Sequence, residues 1–252
     1  MLIVNKSSSV NYVNAPAYGG IALAQNLVFG LRPTNPANTI NLADGPDKSI
    51  ITSNTAEYSS KGIIGSASRY IDTDFAPKSD SITIKAVMQF VRMRTDQGLI
   101  VSVLGGLDRG TTRGTGIWMT TIANGSNFDY ELRLESTALN GARLVRRVGQ
   151  KFMINQKVTD SQLLNVWCQV NDATGEIRIK INDNDWASFR VSADDYSQRN
   201  EMPWRIGLLP TMSSNDNAGV EISEVLVWDK ILTSAEIDQQ NKLSQRWLST
   251  LA

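Results

Sequence analysis

The chain has 252 residues, of which 41% are hydrophobic and 20% charged, so it can bury a sizeable core and wholesale disorder is excluded. Histidine is absent, which excludes an imidazole base or a histidine metal ligand, and the one cysteine excludes an intrachain disulfide and a cysteine-based zinc site. The 25 basic and 25 acidic residues cancel, so the chain lacks the positive charge typical of nucleic-acid binders.

The amino-terminal region is polar and is interrupted by proline and glycine. Its first apolar run spans only residues 1–4, shorter than the roughly 7–15 residues of a signal-peptide core. No stretch approaches the roughly 18 apolar residues of a membrane span, so we expect no membrane insertion. We interpret residues 1–20 as an arm and residues 21–252 as one domain. Because neither a signal nor a disulfide is expected, we predict synthesis in a reducing cytosol.

Short segments in which apolar and polar residues alternate predict β-strands along most of the chain. They are residues 81–91, 99–104, 116–122, 130–134, 166–170, 176–181, 186–191, 205–208 and 220–228. The clearest hairpin has its turn at residues 171–175, which supply polar turn residues and a glycine. Many short strands without interleaved helices predict an all-β fold, an antiparallel β-sandwich or jelly roll.

One helix is predicted, at the carboxyl end of the chain. Thr233 and Glu236 have the spacing of a capping box, in which each side chain accepts a hydrogen bond from a backbone N–H at the start of the helix. Apolar residues downstream fall on one side of a 3.6-residue helix: Ile237, Leu243, Trp247, Leu248 and Leu251. We therefore expect the helix to pack on the sandwich.

The most distinctive pattern lies at residues 219–237: a glycine, an apolar–acidic alternation ending in Trp228, and a Leu-Thr step followed by Glu-Ile. Three earlier pieces stand in a fitting order: residues 65–71, the hairpin led by Trp167, and Arg205-Ile206-Gly207. Together, over about residues 63–249, they resemble laminin-G-like, concanavalin A-like jelly rolls. Cys168 stands where that family usually has histidine or a similar polar residue, so no binding residue is carried over.

The resemblance raises the question of sugar hydrolysis, because this superfamily includes hydrolases with two glutamates at i and i+4 on one strand face and an aspartate between them. Glu221 and Glu224 are three residues apart on a predicted strand, so we expect them on opposite faces of the sheet, one of them in solvent. We find no pair with the hydrolase arrangement in the sequence. We therefore predict a non-enzymatic chain.

Folds of this type often bind calcium at the rim of the sandwich, and Asp183 and Asp185 offer oxygen ligands in the polar turn at residues 182–185. That turn lacks the glycine and the glutamate of an EF-hand, and asparagine and aspartate also favour turns for local reasons. A simple turn without a cofactor is the favoured interpretation, and a calcium site is the alternative.

Two groups of residues are candidates for contacts with a ligand or a partner. The glycine-rich stretch at residues 105–116 carries Arg109 and Arg113, which fit a contact loop or an anion cradle. Among the tryptophans, Trp186 and Trp204 lie beside polar or proline-bearing turns, so we expect them to be exposed and able to stack on a sugar. By contrast, Trp118, Trp167 and Trp228 are predicted core residues, and a basic cluster is attributed to a solvated strand face: Arg143, Arg146 and Arg147.

Two functional hypotheses remain open, and glycoside hydrolysis ranks below both. The first is a structural or interaction module of a virion, such as a bacteriophage tail, baseplate or capsid-surface protein. It would be assembled in the host cytoplasm, with other particle proteins as partners and homo-oligomers expected. The second is a glycan-binding, lectin-like domain that recognises host or cell-surface polysaccharide. Nucleic acid is not expected as a partner of either.

Overall fold

The computed structural model describes residues 20–36, 39–44, 49–91, 99–108, 114–124, 127–140, 142–152, 162–192, 201–210 and 219–251. Nearly all of the predicted arm, residues 1–19, lies outside the described residues, as do Arg109 and Arg113. The division into an arm and one domain therefore stays a prediction.

The described residues form fifteen β-strands and one α-helix, preceded by a 3₁₀ turn at Ala24–Asn26. The strands are β1 Leu27–Leu31, β2 Ile51–Asn54, β3 Glu57–Tyr58, β4 Ile63–Gly65, β5 Ile71–Thr73, β6 Ser81–Val91, β7 Ile100–Gly105, β8 Gly114–Asn124, β9 Asn127–Asn140, β10 Ala142–Phe152, β11 Leu164–Asn171, β12 Glu176–Ile181, β13 Ala187–Arg190, β14 Arg205–Ile206 and β15 Gly219–Trp228. The helix α1 spans Ser234–Leu248.

The strands are arranged in two antiparallel sheets. Sheet A has the order β13-β12-β11-β6-β15-β4-β3, with β1 also paired to β15, and sheet B has the order β10-β9-β8-β7-β14-β5-β2. Side chains alternate along each strand, as on β12, where Ile177, Ile179 and Ile181 are buried and their neighbours are half-buried. The buried rows of both sheets meet in one apolar core. The prediction of an all-β antiparallel sandwich with a carboxyl-terminal helix is confirmed.

A second apolar cluster lies on the outer face of sheet A, beneath α1. Trp167 and Trp228 are fully buried there and stack with ring centroids 5.9 Å apart, with Ile237 of the helix packed in the same cluster. The predicted capping box is present, since Thr233 Oγ1 accepts a hydrogen bond from Glu236 N–H and the Glu236 carboxylate accepts one from Thr233 N–H at 2.7 Å. The core prediction for the two tryptophans is confirmed, although they lie outside the space between the sheets.

A β-bulge in β15 changes the direction of one glutamate. Ile222 pairs with Met88 whereas Glu224 pairs with Val87, so Ser223 is an extra residue in β15. The bulge places Glu221 and Glu224 on the same outer face of sheet A, where they are 6% and 0% exposed. The expectation that they face opposite sides, with one in solvent, is therefore wrong.

Glu224 lies at the centre of a buried charge network that joins three parts of the fold. Its carboxylate is 2.6 Å from an Arg32 guanidinium nitrogen and 3.0 Å from Lys85 Nζ, and it accepts a hydrogen bond from Ser244 Oγ at 2.6 Å. Burial alone would raise the pKa of Glu224, but the two cations and the Ser244 hydroxyl outweigh it and lower that pKa to about 2. The network thereby ties the segment after β1 and helix α1 to the centre of sheet A.

The arginines of β10 do not share one solvated face. Arg146 is fully buried, and its guanidinium donates to Asp172 Oδ1 at 2.7 Å and to Ser136 Oγ at 3.0 Å. Arg147 points the other way and pairs with Glu135 at 2.8 Å. The solvated-face interpretation is wrong for Arg146, because strand alternation turns this residue inward, where Asp172 in the turn between β11 and β12 neutralises it. The side chain of Arg143 lies outside what the structure describes.

Candidate functional site

An open groove of about 640 Å³ lies at the end of the sandwich where β6 begins and β15 ends. This volume falls in the range of roughly 300–1,000 Å³ that is usual for small-molecule sites. The apolar lining consists of Leu27, Val28, Ala43, Phe75, Ala76, Pro77 and Ile82. The polar lining consists of Gln25, Asp44, Ser49, Asp74, Lys78, Ser79 and Asp229. The groove thus combines an apolar floor with a few polar groups at its edge.

The aromatic part of the floor is held rigidly from behind. Phe75 stacks on Phe29 at 4.8 Å and meets the edge of Trp204 at 5.2 Å. The backbone N–H of Trp204 donates to the backbone carbonyl of Phe75 at 2.8 Å. The Trp204 carbonyl accepts from the backbone N–H of Thr73 at 3.1 Å and from Thr73 Oγ1 at 2.8 Å. The floor is therefore fixed before any ligand arrives.

This arrangement corrects one predicted contact residue. Trp204 is 0% exposed, so it is a core residue and cannot stack on a sugar. The proline before it suggested an exposed turn, but the backbone bonds to Thr73 and Phe75 draw the ring between the sheets. Its connection with the groove is indirect, through Phe75.

Two of the three groove carboxylates are oriented by the fold. Asp74 Oδ1 accepts from Ile50 N–H at 2.7 Å. Asp229 Oδ1 accepts from Asn26 Nδ2 at 3.4 Å, and the backbone N–H of Asp229 donates to the Asn26 carbonyl at 3.1 Å. Asp44, Asp74 and Asp229 are all exposed, as is Lys78. The described lining therefore carries three carboxylates and one ammonium group, an excess of two negative charges.

Trp186 does not line this groove. It is half-buried at the edge of the outer cluster of sheet A, and the Arg178 guanidinium lies 4.5 Å from its ring centroid. The turn that precedes it follows β12, and register places that turn near Met88, whereas the groove is near Ile82 at the other end of β6. The structure does not bring Trp186 and Trp204 into one site.

The predicted calcium ligands Asp183 and Asp185 are exposed in the turn after β12. Asn182 has a φ of 53°, its Oδ1 accepts from Asn165 N–H at 2.8 Å, and the Asp185 carbonyl accepts from Gln150 Nε2 at 2.8 Å. Within the described part of the chain, no three acidic or cysteine side chains gather closely enough to hold a metal ion. The local hydrogen bonds give this turn a sufficient structural role, and calcium binding stays a prediction.

Sequence reasoning overlooked a pair of glutamates on β9. Leu132 and Leu134 are buried between the sheets, so Glu131, Arg133 and Glu135 share the outer face of sheet B. The two glutamates therefore have the i, i+4 spacing of the hydrolase pair but lack the aspartate between them, so this strand does not carry the full hydrolase arrangement. The alternation with the two leucines was the signal that could have revealed the pair.

These two glutamates are nevertheless arranged as ion-pair partners. Arg133 stands where the hydrolases have aspartate and donates to Glu131, while Arg147 donates to Glu135. Both guanidinium groups lie over the ring of Trp118, at 5.0 and 5.6 Å from its centroid, and leave that ring 3% exposed. Both carboxylates are thus engaged by arginine side chains, in an arrangement that differs from the acid and base of a hydrolase pair.

The fold defines a class: a two-sheet antiparallel β-sandwich with a carboxyl-terminal helix. No protein-family model and no curated protein matches the sequence. Among the described helices, none is both long and apolar enough to cross a membrane.

Solved structures match this fold, and several of them are binding domains of botulinum neurotoxins. They include the serotype C1 binding domain (TM-score 0.61, 12% identity, 91% of this chain and 53% of that one). Another is the DC binding domain in complex with SialylT (TM-score 0.63, 10% identity, 89% and 52%). A third is the serotype D ligand-binding domain in complex with N-acetylneuraminic acid (TM-score 0.61, 10% identity, 88% and 52%).

At these identities the likeness shows the fold alone, and this chain spans about half the length of each of these domains. The structural likeness agrees with the predicted jelly-roll sandwich. The closer resemblance to laminin-G-like domains and the bacteriophage origin stay predictions.

Proposed function

We propose that this chain is a non-enzymatic binding module that holds a saccharide in the groove at the rim of the sandwich. The observation that carries the proposal is the groove itself, with an apolar floor and polar groups oriented by the fold. The solved binding domains that share this fold include complexes with SialylT and N-acetylneuraminic acid, and this chain spans about half of each of those domains.

The groove suits the two-sided chemistry of a sugar ring. One face of a pyranose is a patch of C–H groups, and the half-buried Val28 and Ala76 offer apolar surface against which such a patch can pack, beside the buried Phe75 and Pro77. The hydroxyl groups at the ring edge need donors and acceptors, which Asp74 and Ser49 supply at the groove margin. Because the floor is already packed, little conformational entropy is lost when a ligand binds.

A steric block in the groove tests this proposal. Ala76 lines the groove, so Ala76→Trp should fill it and abolish binding on a glycan microarray. The matched control is Asn184→Trp in the exposed turn at the other end of β6, which should bind as the unaltered chain does. Both variants are first checked for an unchanged thermal melt.

Two results would contradict the proposal. One is the absence of binding to every glycan on the array. The other is binding that survives Ala76→Trp and is lost in Trp186→Ala, which would place the sugar at the half-buried tryptophan on the outer face of sheet A.

We also infer that the module is displayed by a virion and assembled in the host cytoplasm. The single cysteine supports a reducing site of assembly, because a chain that can form no intrachain disulfide suits such a compartment. The chain should then be recovered with purified particles, and as a homo-oligomer in size-exclusion chromatography with light scattering. A monomer found only in the soluble fraction of particle-free cells would contradict this location.

A further inference from the structure

We propose that the groove selects saccharides that carry ammonium groups over saccharides that carry carboxylates. This inference rests on the proposed function and names the ligand class of the same site. It starts from the charges that the described lining presents, which are Asp44, Asp74 and Asp229 against Lys78.

The three carboxylates are available to a ligand. All three are exposed at the groove, and Asp74 and Asp229 are held in direction by hydrogen bonds from Ile50 N–H and Asn26 Nδ2. Each of these bonds involves Oδ1, so Oδ2 of each carboxylate is the atom left to accept from a ligand. Fixed acceptors of this kind favour a donor that also carries positive charge.

The carboxylates come from three separate segments, after β1, after β5 and after β15. In the described residues no three acidic side chains form a cage for a metal ion, so these three do not act together on one small cation. More than one acceptor beside an apolar floor suits an oligosaccharide that carries more than one amine.

The same charges disfavour an acidic sugar. A carboxylate in the groove would face three like charges and one opposite charge. The sugars bound in the neurotoxin structures include N-acetylneuraminic acid, which is acidic, so this chain and that neighbour should differ in ligand although they share a fold.

Three trisaccharides test this preference by isothermal titration calorimetry on the full chain. They are β-1,4-linked triglucosamine, its fully N-acetylated counterpart, and sialyllactose. Since one exposed charge pair changes affinity by about two- to fivefold, the amine form should bind about tenfold more tightly than the N-acetylated form, and sialyllactose most weakly. Raising the salt concentration from about 0.05 to 0.5 M should narrow these differences.

Matched variants separate the local charge from the net charge. Asp44→Asn with Asp74→Asn should remove most of the preference for the amine form. The control pair, Asp183→Asn with Asp185→Asn, makes the same change in net charge at the opposite end of β6 and should leave the preference intact. Lys78→Met should strengthen the preference.

The outcomes distinguish the two levels of the proposal. If none of the three sugars binds, or if Ala76→Trp leaves binding unchanged, the proposed function fails and this inference fails with it. If sugars bind and Ala76→Trp abolishes binding, but sialyllactose or the N-acetylated sugar binds as tightly as triglucosamine, only the charge preference is overturned. Tighter binding of tetralysine than of triglucosamine in the groove would likewise overturn it, because the site would then recognise a cationic peptide.

Discussion

Replacing Glu224 by glutamine removes a carboxylate that two buried cations, Arg32 and Lys85, share. Arg32 and Glu224 are 3% and 0% exposed as side chains, and Lys85 is 0% exposed, so solvent screens these charges weakly. Glutamine keeps the shape of the side chain and one acceptor oxygen. The substitution therefore tests the charge, with little change in packing.

Two independent lines give the magnitude. Removing one partner of a buried ion pair costs about 3–5 kcal/mol, because an uncompensated charge stays buried. The pKa of Glu224 falls from its ordinary 4.5 to about 2, and this gap corresponds to about 3 kcal/mol of stability. Since the pKa is lower in the folded state, this contribution is complete above about pH 4.5 and is lost as the pH falls towards 2.

Urea unfolding followed by tryptophan fluorescence measures the effect, since Trp167 and Trp228 are buried beside the network. We expect Glu224→Gln to lower the free energy of unfolding by about 3 kcal/mol near pH 6. The difference from the unaltered chain should disappear near pH 2. Glu57→Gln is the control, because its pair with Arg69 is exposed and is worth less than about 1 kcal/mol. A loss below about 1 kcal/mol for Glu224→Gln, or an unchanged acid dependence, would refute the reasoning.

Four further predictions concern the core position of Trp204, the cap of α1, the buried thiol and the turn at residues 182–185. Trp204→Ala should lower the free energy of unfolding by about 3–5 kcal/mol, and Trp186→Ala should lower it clearly less, because Trp186 is only half-buried. Equal losses for the two variants in urea titrations would contradict the core position of Trp204. Thr233→Ala should cost about 1 kcal/mol and Thr233→Ser almost nothing, as measured by thermal melts, because the hydroxyl caps α1. Cys168 should react with a thiol reagent only after denaturation, since burial raises its pKa; fast labelling of the native chain would show that the site opens. Calcium or a chelator should leave the melting temperature unchanged if the turn at residues 182–185 is held by its own hydrogen bonds, whereas a rise with calcium would establish a cation site.

The sandwich could be predicted because its signals are local. Alternation of period two on β6 and β12 and the turn between β11 and β12 are legible in a few consecutive residues. The capping box of Thr233 and Glu236 is equally local, since both partners lie within four residues. Sequence signals that span only a few residues can be recognised without knowledge of the tertiary structure.

The bulge at Ser223 shows where such reasoning ends. One extra residue reverses the face of every side chain after it, so alternation counted through Glu221 and Glu224 gives the wrong direction. What holds the bulged register is long-range, because Glu224 meets Lys85 and Arg32 from distant parts of the chain. Neither partner can be inferred from the strand itself.

The groove could not be predicted for the same reason. Its lining comes from short segments near residues 25–28, 43–44, 49, 74–82 and 229, and no motif links them in sequence. The exposure of Trp204 is predicted wrongly from the residues next to it in sequence, because its burial depends on Phe75, which is 129 positions away along the chain.

The surfaces of the two sheets explain why the rim is the place for a ligand. The outer face of sheet A is covered by α1 over Trp167 and Trp228, and the arginines that pair with the β9 glutamates cover Trp118 on sheet B. In the described part of the molecule, Trp167, Trp228 and Trp118 are thus already packed or capped within the chain, while Trp186 is half-buried at the edge of sheet A. The rim differs, because Val28 and Ala76 are half-buried there and line an open groove beside the buried Phe75. A flat polymer spread over a sheet would have to displace these contacts, whereas an oligosaccharide entering at the rim would displace only water.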